Sequence, residues 1–143
     1  MFRFIVVTAA LLLFANEALA HGSEAAAPPP PKPDATTVPI TLGKTRKGMV
    51  FTNLKGMTLY YFDRDDTGNK SNCNDKCTEK WIPLQAVKDA QPFGDFTVIV
   101  RNDGSRMWAY RYRPLYTSDD DKAPGDANGS DPQNLWHVAR PAN

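Results

Sequence analysis

Short apolar runs, separated by clusters of turn-forming residues, cover most of the chain after its proline-rich segment. Several runs are rich in β-branched and aromatic residues, which is typical of strands rather than helices. The Asn102-Asp103-Gly104-Ser105 segment is a strong hairpin signal between two of these runs. Strands are predicted at residues 38–42, 49–52, 57–62, 93–101, 106–110, 115–116 and 135–139.

Helical patterns are weak by comparison. Residues 72–81 have a capping asparagine at Asn72 and enough length for one or two turns. Residues 117–134 are rich in aspartate, proline and glycine, which predicts a long polar loop of the kind that a bound ligand can order. The fold class is therefore predicted to be mainly β: a small antiparallel domain with one short helix near a pair of cysteines.

One sequence motif occurs twice in the chain. Residues 59–65 read Leu-Tyr-Tyr-Phe-Asp-Arg-Asp, and residues 115–121 read Leu-Tyr-Thr-Ser-Asp-Asp-Asp, 56 positions later. Trp81 and Trp136 follow the two copies, one residue out of step. Because self-similarity at a fixed spacing marks duplicated units, the domain is predicted to consist of two related halves.

The repeated motif residues have a structural interpretation, and a metal-binding alternative is given below with the acidic turns. Structurally, Tyr60 and Tyr116 would bury their rings while their hydroxyls find hydrogen-bond partners. Asp65 and Asp121 would accept hydrogen bonds from turn amides at the strand ends. Such a device explains why the same residues recur at the same spacing.

The first 20 residues have the pattern of a secretory signal peptide. Arg3 gives a positive start, residues 4–14 are apolar, and Ala18-Leu19-Ala20 fits a cleavage site. The apolar run is shorter than the roughly 20 residues that span a bilayer, so no transmembrane anchor is expected. Cleavage after Ala20 would place the protein in the periplasm or outside the cell.

Residues 21–39 are rich in proline and alanine and are predicted to be a disordered tether. Residues 40–143 remain for the tandem-repeat β domain. The whole chain has a formal net charge of +1. A nearly balanced charge gives no electrostatic reason to expect a nucleic-acid partner.

Cys73 and Cys77 are the two cysteines of the chain. In an exported protein a disulfide between them is the default expectation. The bridge would close a short loop and fix the turn before Trp81. The competing interpretation is a soft-metal site, in which the two thiolates bind Cu(I) or Zn²⁺ with His137 or a methionine as a further ligand.

The motif at residues 60–65 resembles the Tyr-x-aromatic-x-x-Asp pattern of a family of secreted or lipoprotein repeats of unknown function. The resemblance extends over about residues 43–140 and includes Gly56 to Tyr60, the cysteine pair before Trp81-Ile82-Pro83, Trp108-Ala109-Tyr110, Pro114-Leu115-Tyr116, Pro124-Gly125-Asp126 and Trp136-His137-Val138. It implies an exported domain in tandem copies, and it implies no reaction.

Two features depart from the family pattern. Ser118 stands where the second copy should carry an aromatic residue, which is Phe62 in the first copy. No cysteine follows the predicted cleavage site, so the lipid anchor of many family members is not expected here.

The acidic turns could hold calcium. Asp63, Asp65, Thr67 and Gly68 match the opening of a calcium loop, with oxygen ligands at alternate positions and glycine at the sixth. Asp126, Asn128 and Ser130 alternate similarly. Neither segment has the glutamate that completes such a loop at its twelfth position.

Catalytic signals are sparse. The chain has two histidines, His21 and His137, and lacks a nucleophile elbow, a zinc-protease motif and a phosphate-binding glycine loop. We therefore expect a non-enzymatic exported module without a cofactor, which interacts with an unknown protein or envelope component. The alternative is a periplasmic metal-binding protein, with calcium at the acidic turns or copper near Cys73 and Cys77; His21, as the mature N-terminus, could also chelate Cu(II). A hydrolase is the third possibility.

Overall fold

The computed structural model describes residues 37–65, 69–129 and 132–142. The predicted signal peptide and nearly all of the predicted tether lie outside these residues. Within them, no helix has both the length and the apolar character needed to cross a membrane.

The described residues form short strands and one helical turn. Their bounds are β1 Ile40–Thr45, β2 Gly48–Asn53, β3 Tyr60–Phe62, α1 Cys77–Lys80, β4 Trp81–Pro83, β5 Phe96–Val100, β6 Arg106–Tyr110, β7 Arg113–Pro114, β8 Tyr116–Ser118 and β9 Trp136–Val138. β1 and β2 form a hairpin, and β5, β6 and β7 form a three-stranded sheet. The remaining strands form a four-stranded antiparallel sheet in the order β4-β8-β3-β9.

The two halves of the domain share a series of strands, and among the described residues α1 occurs in the first half alone. The β1-β2 hairpin corresponds to β5-β6, β3 corresponds to β8, and β4 corresponds to β9. However, β4 pairs with β8, and β9 pairs with β3. Each half therefore places its last strand beside the motif strand of the other half, and the halves are interlaced.

An approximate two-fold axis relates the halves. β3 and β8 are antiparallel neighbours at the centre of the four-stranded sheet, and Tyr60 lies directly opposite Tyr116. Because these residues occupy the same position in the two copies of the motif, the axis passes between them. The prediction of an antiparallel β domain with two related halves is confirmed.

Backbone hydrogen bonds repeat the same symmetry. Each half has a closed ring of three backbone hydrogen bonds among three residues. Two of the residues belong to that half and the third belongs to the other half. Phe51 N donates to Ala139 O at 2.9 Å, Ala139 N to Leu59 O at 2.8 Å, and Leu59 N to Phe51 O at 2.9 Å. The equivalent ring consists of Trp108, Leu84 and Leu115, with N–O distances of 2.9, 2.9 and 3.0 Å.

Apolar clusters cover both faces of the four-stranded sheet. Side chains alternate between the two faces along a strand, so Tyr60 and Phe62 pack into one cluster while Tyr61 packs against the other. The larger cluster contains Val50, Tyr60, Cys73, Trp81, Ile99, Met107, Ala109, Tyr116, Trp136 and Val138. The smaller one contains Phe51, Leu59, Leu115 and Ala139.

The helix is shorter than the predicted residues 72–81. Asp75 has a positive φ of 53°, which no helix accommodates in its interior, and the helix covers only Cys77–Lys80. Trp81 then begins β4. This strand was missed because three residues are too few to show an alternating pattern.

Other boundaries also moved. β1 continues to Thr45, three residues beyond the predicted end. β8 runs to Ser118, so the predicted loop at 117–134 starts later than expected. Both extensions are fixed by pairing with a partner strand, which local sequence does not reveal.

Candidate functional site

The two copies of the motif exchange their hydrogen-bond partners. Tyr60 Oη donates to Asp121 Oδ2 at 2.8 Å, and Tyr116 Oη donates to Asp65 Oδ2 at 2.8 Å. Each tyrosine is thus bonded to the aspartate of the other copy. Tyr60 and Tyr116 have no exposed surface, and Asp121 is 5% exposed.

The other carboxylate oxygens close the loop that follows each motif. Asp65 Oδ1 accepts the backbone N–H of Asn72 at 2.8 Å, and Asp121 Oδ1 accepts that of Asn128 at 2.6 Å. The two asparagines are again 56 positions apart. Each aspartate therefore connects its own loop to the tyrosine of the other half.

Each tyrosine hydroxyl has a second partner in the same loop. Ser71 Oγ lies 2.7 Å from Tyr116 Oη, and Gly129 N donates to Tyr60 Oη at 3.1 Å. Burial raises the pKa of both tyrosines, so both hydroxyls stay protonated and serve as donors. The arrangement is a pair of symmetric clamps.

The Asp65 carboxyl group has a raised pKa. Burial raises the pKa of Asp65 to about 6, against the opposing effects of the hydrogen bonds from Asn72 and Tyr116 and the charge of Arg101. The clamp formed by Asp65 and Tyr116 therefore contains a group that titrates near pH 6.

The tryptophans that follow the motifs form a buried stack at the axis. The ring centroids of Trp81 and Trp136 are 3.9 Å apart and the planes are nearly parallel; Phe62 stacks on Trp136 at 4.4 Å. Tyr60 packs edge-on against Trp81, and Tyr116 packs edge-on against Trp136. Since both tryptophans are buried, these rings are core and offer no open platform.

The serine at position 118 has a packing explanation. A Cβ added at Gly129 would lie 2.7 Å from the Tyr60 ring and 3.0 Å from Ser118 Cβ. The backbone of the second loop therefore fills the space beside Tyr60. An aromatic side chain at position 118 would compete for that space.

Arginine side chains hold both loops, and a disulfide adds to the first. Arg101, 6% exposed, donates to Ser71 Oγ and to Cys73 O, both at 2.9 Å. Cys73 and Cys77 form the expected disulfide. The loop of the second half has no disulfide and is held by Arg46 of the β1–β2 turn, which donates to Asn128 Oδ1 at 2.9 Å.

The residues considered as metal ligands have protein partners. Asp63 Oδ2 lies 2.7 Å from His137 Nε2, and Asp65 holds Tyr116 as described. The Asp126 carboxylate accepts the N–H groups of Lys122 and Ala123, which lower its pKa, and Asn128 Oδ1 accepts Arg46. Among the described residues no three His, Cys, Asp or Glu side chains are grouped to hold a metal ion. Thr67, Gly68, Ser130 and His21 lie outside the described residues.

A cleft of about 160 Å³ lies beside the turn between β6 and β7, and we call it the arginine cleft. Leu115 and Ala139, which are 1% and 2% exposed, belong to its lining. Two tyrosine rings and three arginines complete it: Tyr61, Tyr110, Arg111, Arg113 and Arg140. The cleft thus combines an apolar floor with a cationic rim.

Aromatic rings and single polar contacts hold the arginines. The Arg113 guanidinium carbon lies 4.5 Å from the Tyr61 ring centroid, and that of Arg111 lies 5.6 Å from the Tyr110 ring. Arg111 Nε is 2.9 Å from Asp95 Oδ2, and Arg140 Nη2 donates to the backbone carbonyl of Lys47 at 2.8 Å. The cations are therefore held in place at the cleft.

The turn beside the cleft has an unfavourable backbone. Arg111 and Tyr112 connect β6 to β7, and both have positive φ, 47° and 65°. This conformation suits asparagine and glycine in a two-residue hairpin turn. Elsewhere in the described residues, positive φ occurs at glycines and at Asn69, Asp75 and Asn134, which tolerate it.

The first half has the same turn in a relaxed form. There Asn53 N donates to Met57 O at 2.9 Å across three residues, and the last of these, Gly56, takes the positive φ of 77°. The second half has one residue fewer between the strands and no glycine. Both of its remaining residues consequently adopt the left-handed conformation.

Sequence reasoning did not identify the arginine cleft. Its arginines resemble ordinary solvated surface residues in a linear sequence. The available signal was the Arg111-Tyr112-Arg113 segment, which stands between two strands where glycine, asparagine or aspartate is expected.

The chain belongs to a family described as a secreted repeat of unknown function. The family model matches it twice, at residues 41–85 and 97–140. The first match ends just after β4 and the second just after β9, so each match covers one of the two interlaced halves. No curated protein and no solved structure matches the chain significantly.

Proposed function

We propose that this protein is an exported, non-enzymatic binding module that docks a protein or cell-envelope component at the arginine cleft. No cofactor is required. The interlaced core serves as the scaffold, and the arginine cleft with its adjoining Arg111-Tyr112 turn serves as the binding surface.

The observation that carries the proposal is the backbone of Arg111 and Tyr112. Placing an ordinary residue in the left-handed region costs about 1–2 kcal/mol. Outliers of this kind cluster at functional sites, where the surrounding structure maintains them. The first half achieves the same connection with Gly56, so the fold does not require this strain.

The exposure of the turn is consistent with a binding role. Tyr112 is 54% exposed although it is a large aromatic residue, and Arg111 and Arg113 flank it. Tyrosine and arginine are the residues most often responsible for affinity in protein interfaces. Strands β6 and β7 hold the turn on a rigid support, which limits the entropy lost on binding.

Co-sedimentation with envelopes from the native cells tests the proposal. The exported protein should bind saturably, and the double substitution Arg111→Asn with Tyr112→Gly should weaken binding at least tenfold while the fold is retained. Lys55→Gln, at the corresponding turn of the first half, is the control and should bind as the wild type does. Absence of saturable binding, or equal binding by the double variant, would contradict the proposal.

A further inference from the structure

We infer that the arginine cleft binds the free carboxylate at the end of a peptide chain. This inference rests on the proposed function and specifies the chemistry of the ligand. It follows from the charge, the size and the preorganisation of the cleft.

The charge of the cleft favours an anion. Arg113 has Asp63 as its nearest carboxylate, at 3.9 Å, and within the described residues its guanidinium meets no hydrogen-bond acceptor. Arg140 donates to a neutral carbonyl, that of Lys47. Of the three arginines, Arg111 alone has a carboxylate within hydrogen-bond distance in the described part of the chain, Asp95 at 2.9 Å. A planar guanidinium with available N–H groups is suited to a carboxylate, which it binds with two parallel hydrogen bonds.

The size of the cleft is sufficient for a chain end. At about 30 Å³ for each water molecule, a volume of about 160 Å³ holds roughly five waters. This is room for a carboxylate and one small apolar side chain. Leu115 and Ala139 line the base of this volume but are only 1% and 2% exposed, so they offer little surface of their own.

The aromatic rings of the cleft position its arginines. Arg113 lies over the Tyr61 ring, and the His137 ring lies 5.2 Å from the same tyrosine. Arg111 lies over Tyr110, whose ring also contacts Phe51 at 4.8 Å. Both tyrosine rings are packed against neighbouring rings and hold the two guanidinium groups in place. Because these cations are positioned before the ligand binds, less entropy is lost on binding.

The other side of the two-fold axis provides an internal comparison. The positions equivalent to Tyr61, Arg113 and Arg140 are Thr117, Met57 and Gln85, as the duplicated motif and the two backbone rings align them. None of the three equivalents carries a positive charge or an aromatic ring. The cationic cleft is therefore present on one side of the two-fold axis and is not a consequence of the fold.

An NMR titration with two matched peptides tests the inference. The free acid of N-acetyl-alanyl-alanine should shift the amide signals of residues lining the arginine cleft, while the same peptide with a C-terminal amide should shift them at least tenfold more weakly. Separate titrations with the L,L and D,D forms distinguish an ordinary protein C-terminus from a D-amino-acid peptide, and preference for either supports the inference.

Variants and competition complete the test. Arg113→Gln should weaken binding of the free acid at least tenfold, whereas Lys55→Gln, which removes the same charge at the equivalent turn, should leave it unchanged. Equal binding of acid and amide, equal shifts by sodium acetate, or no shift with either peptide would overturn the inference. If envelope binding persists under those outcomes and depends on the Arg111-Tyr112 turn, only the ligand assignment fails, and the proposed function stands.

Discussion

The Tyr60 hydroxyl is bonded to Asp121, which lies 61 residues away, rather than to Asp65 of its own motif. The symmetric bond of Tyr116 to Asp65 completes the exchange. Each clamp therefore takes its tyrosine from one half and its aspartate from the other. The strand pairing and the backbone rings show the same exchange between the halves. We therefore expect the duplicated sequence to fold as one cooperative unit.

The crossed clamps predict a specific pattern of energetic coupling. Tyr60→Phe should lower the free energy of unfolding by about 1–3 kcal/mol, because it leaves the buried Asp121 without one of its donors. In double-mutant cycles measured by urea denaturation, Tyr60→Phe should couple to Asp121→Asn by about 1 kcal/mol. Its coupling to Asp65→Asn should be clearly smaller, and the reverse order would mean that the partners are not exchanged.

The interlaced strands predict that neither half folds alone. Fragments of residues 37–91 and 92–142 each lack the strand that the other half places beside β3 or β8. Separately they should show no cooperative unfolding, and an equimolar mixture should recover the near-ultraviolet dichroism of the stacked tryptophans. A cooperatively folded monomer of either fragment would show that interlacing is not needed for stability.

Asp65 predicts a stability that falls as the pH rises. Because its pKa is about 6 in the folded state and 3.8 ordinarily, the folded protein binds more protons than the unfolded chain between these values. The slope of unfolding free energy with pH is therefore negative in this window. The contribution of Asp65 to stability is largest below about pH 4 and is lost as the pH rises through 6.

Urea denaturation at pH 5 and pH 7 checks this effect. Wild type should gain more stability than Asp65→Asn on going from pH 7 to pH 5, since the amide cannot take up a proton. Comparison of the two proteins cancels other titrating groups, and Asp103 and Asp126, whose pKa values are lowered, titrate below this window. Parallel pH profiles for the two proteins would rule out Asp65 as the source.

The disulfide should contribute modestly to stability. The second loop is held by Arg46 and Asp121 without a covalent bond, so the equivalent first loop should also fold without one. Replacing both Cys73 and Cys77 with alanine removes a very short closed loop, and the chain-entropy relation gives a loss of about 2 kcal/mol. Thermal unfolding should remain cooperative, and a variant without a folded state would indicate a larger role for the bridge.

Much of the fold can be predicted from local sequence. The exchange of partners in the clamps and the arginine cleft cannot be predicted in this way. The duplicated motif and the alternating apolar runs predict strands, halves and hydrogen-bonding roles for Tyr60 and Asp65. The exchange is hidden because Asp65 and Asp121 are identical residues at identical spacing, so only tertiary packing selects between them. The arginine cleft is hidden because Arg113 and Arg140 are far apart in sequence and meet only after β7 and β9 are in place.

The turn beside the arginine cleft is predicted to lower the stability of the protein while it provides the binding surface. Arg111→Asn with Tyr112→Gly should raise the free energy of unfolding by about 1 kcal/mol or more, because both new residues accept positive φ at lower cost. The lost pair with Asp95 is exposed and should matter little. Gly56→Ala, where φ is 77° and the added Cβ would meet Pro124 at 2.9 Å, should have the opposite effect on the thermal midpoint. A less stable double variant would show that the Arg111-Tyr112 backbone is not strained, and would remove the main support for a binding role.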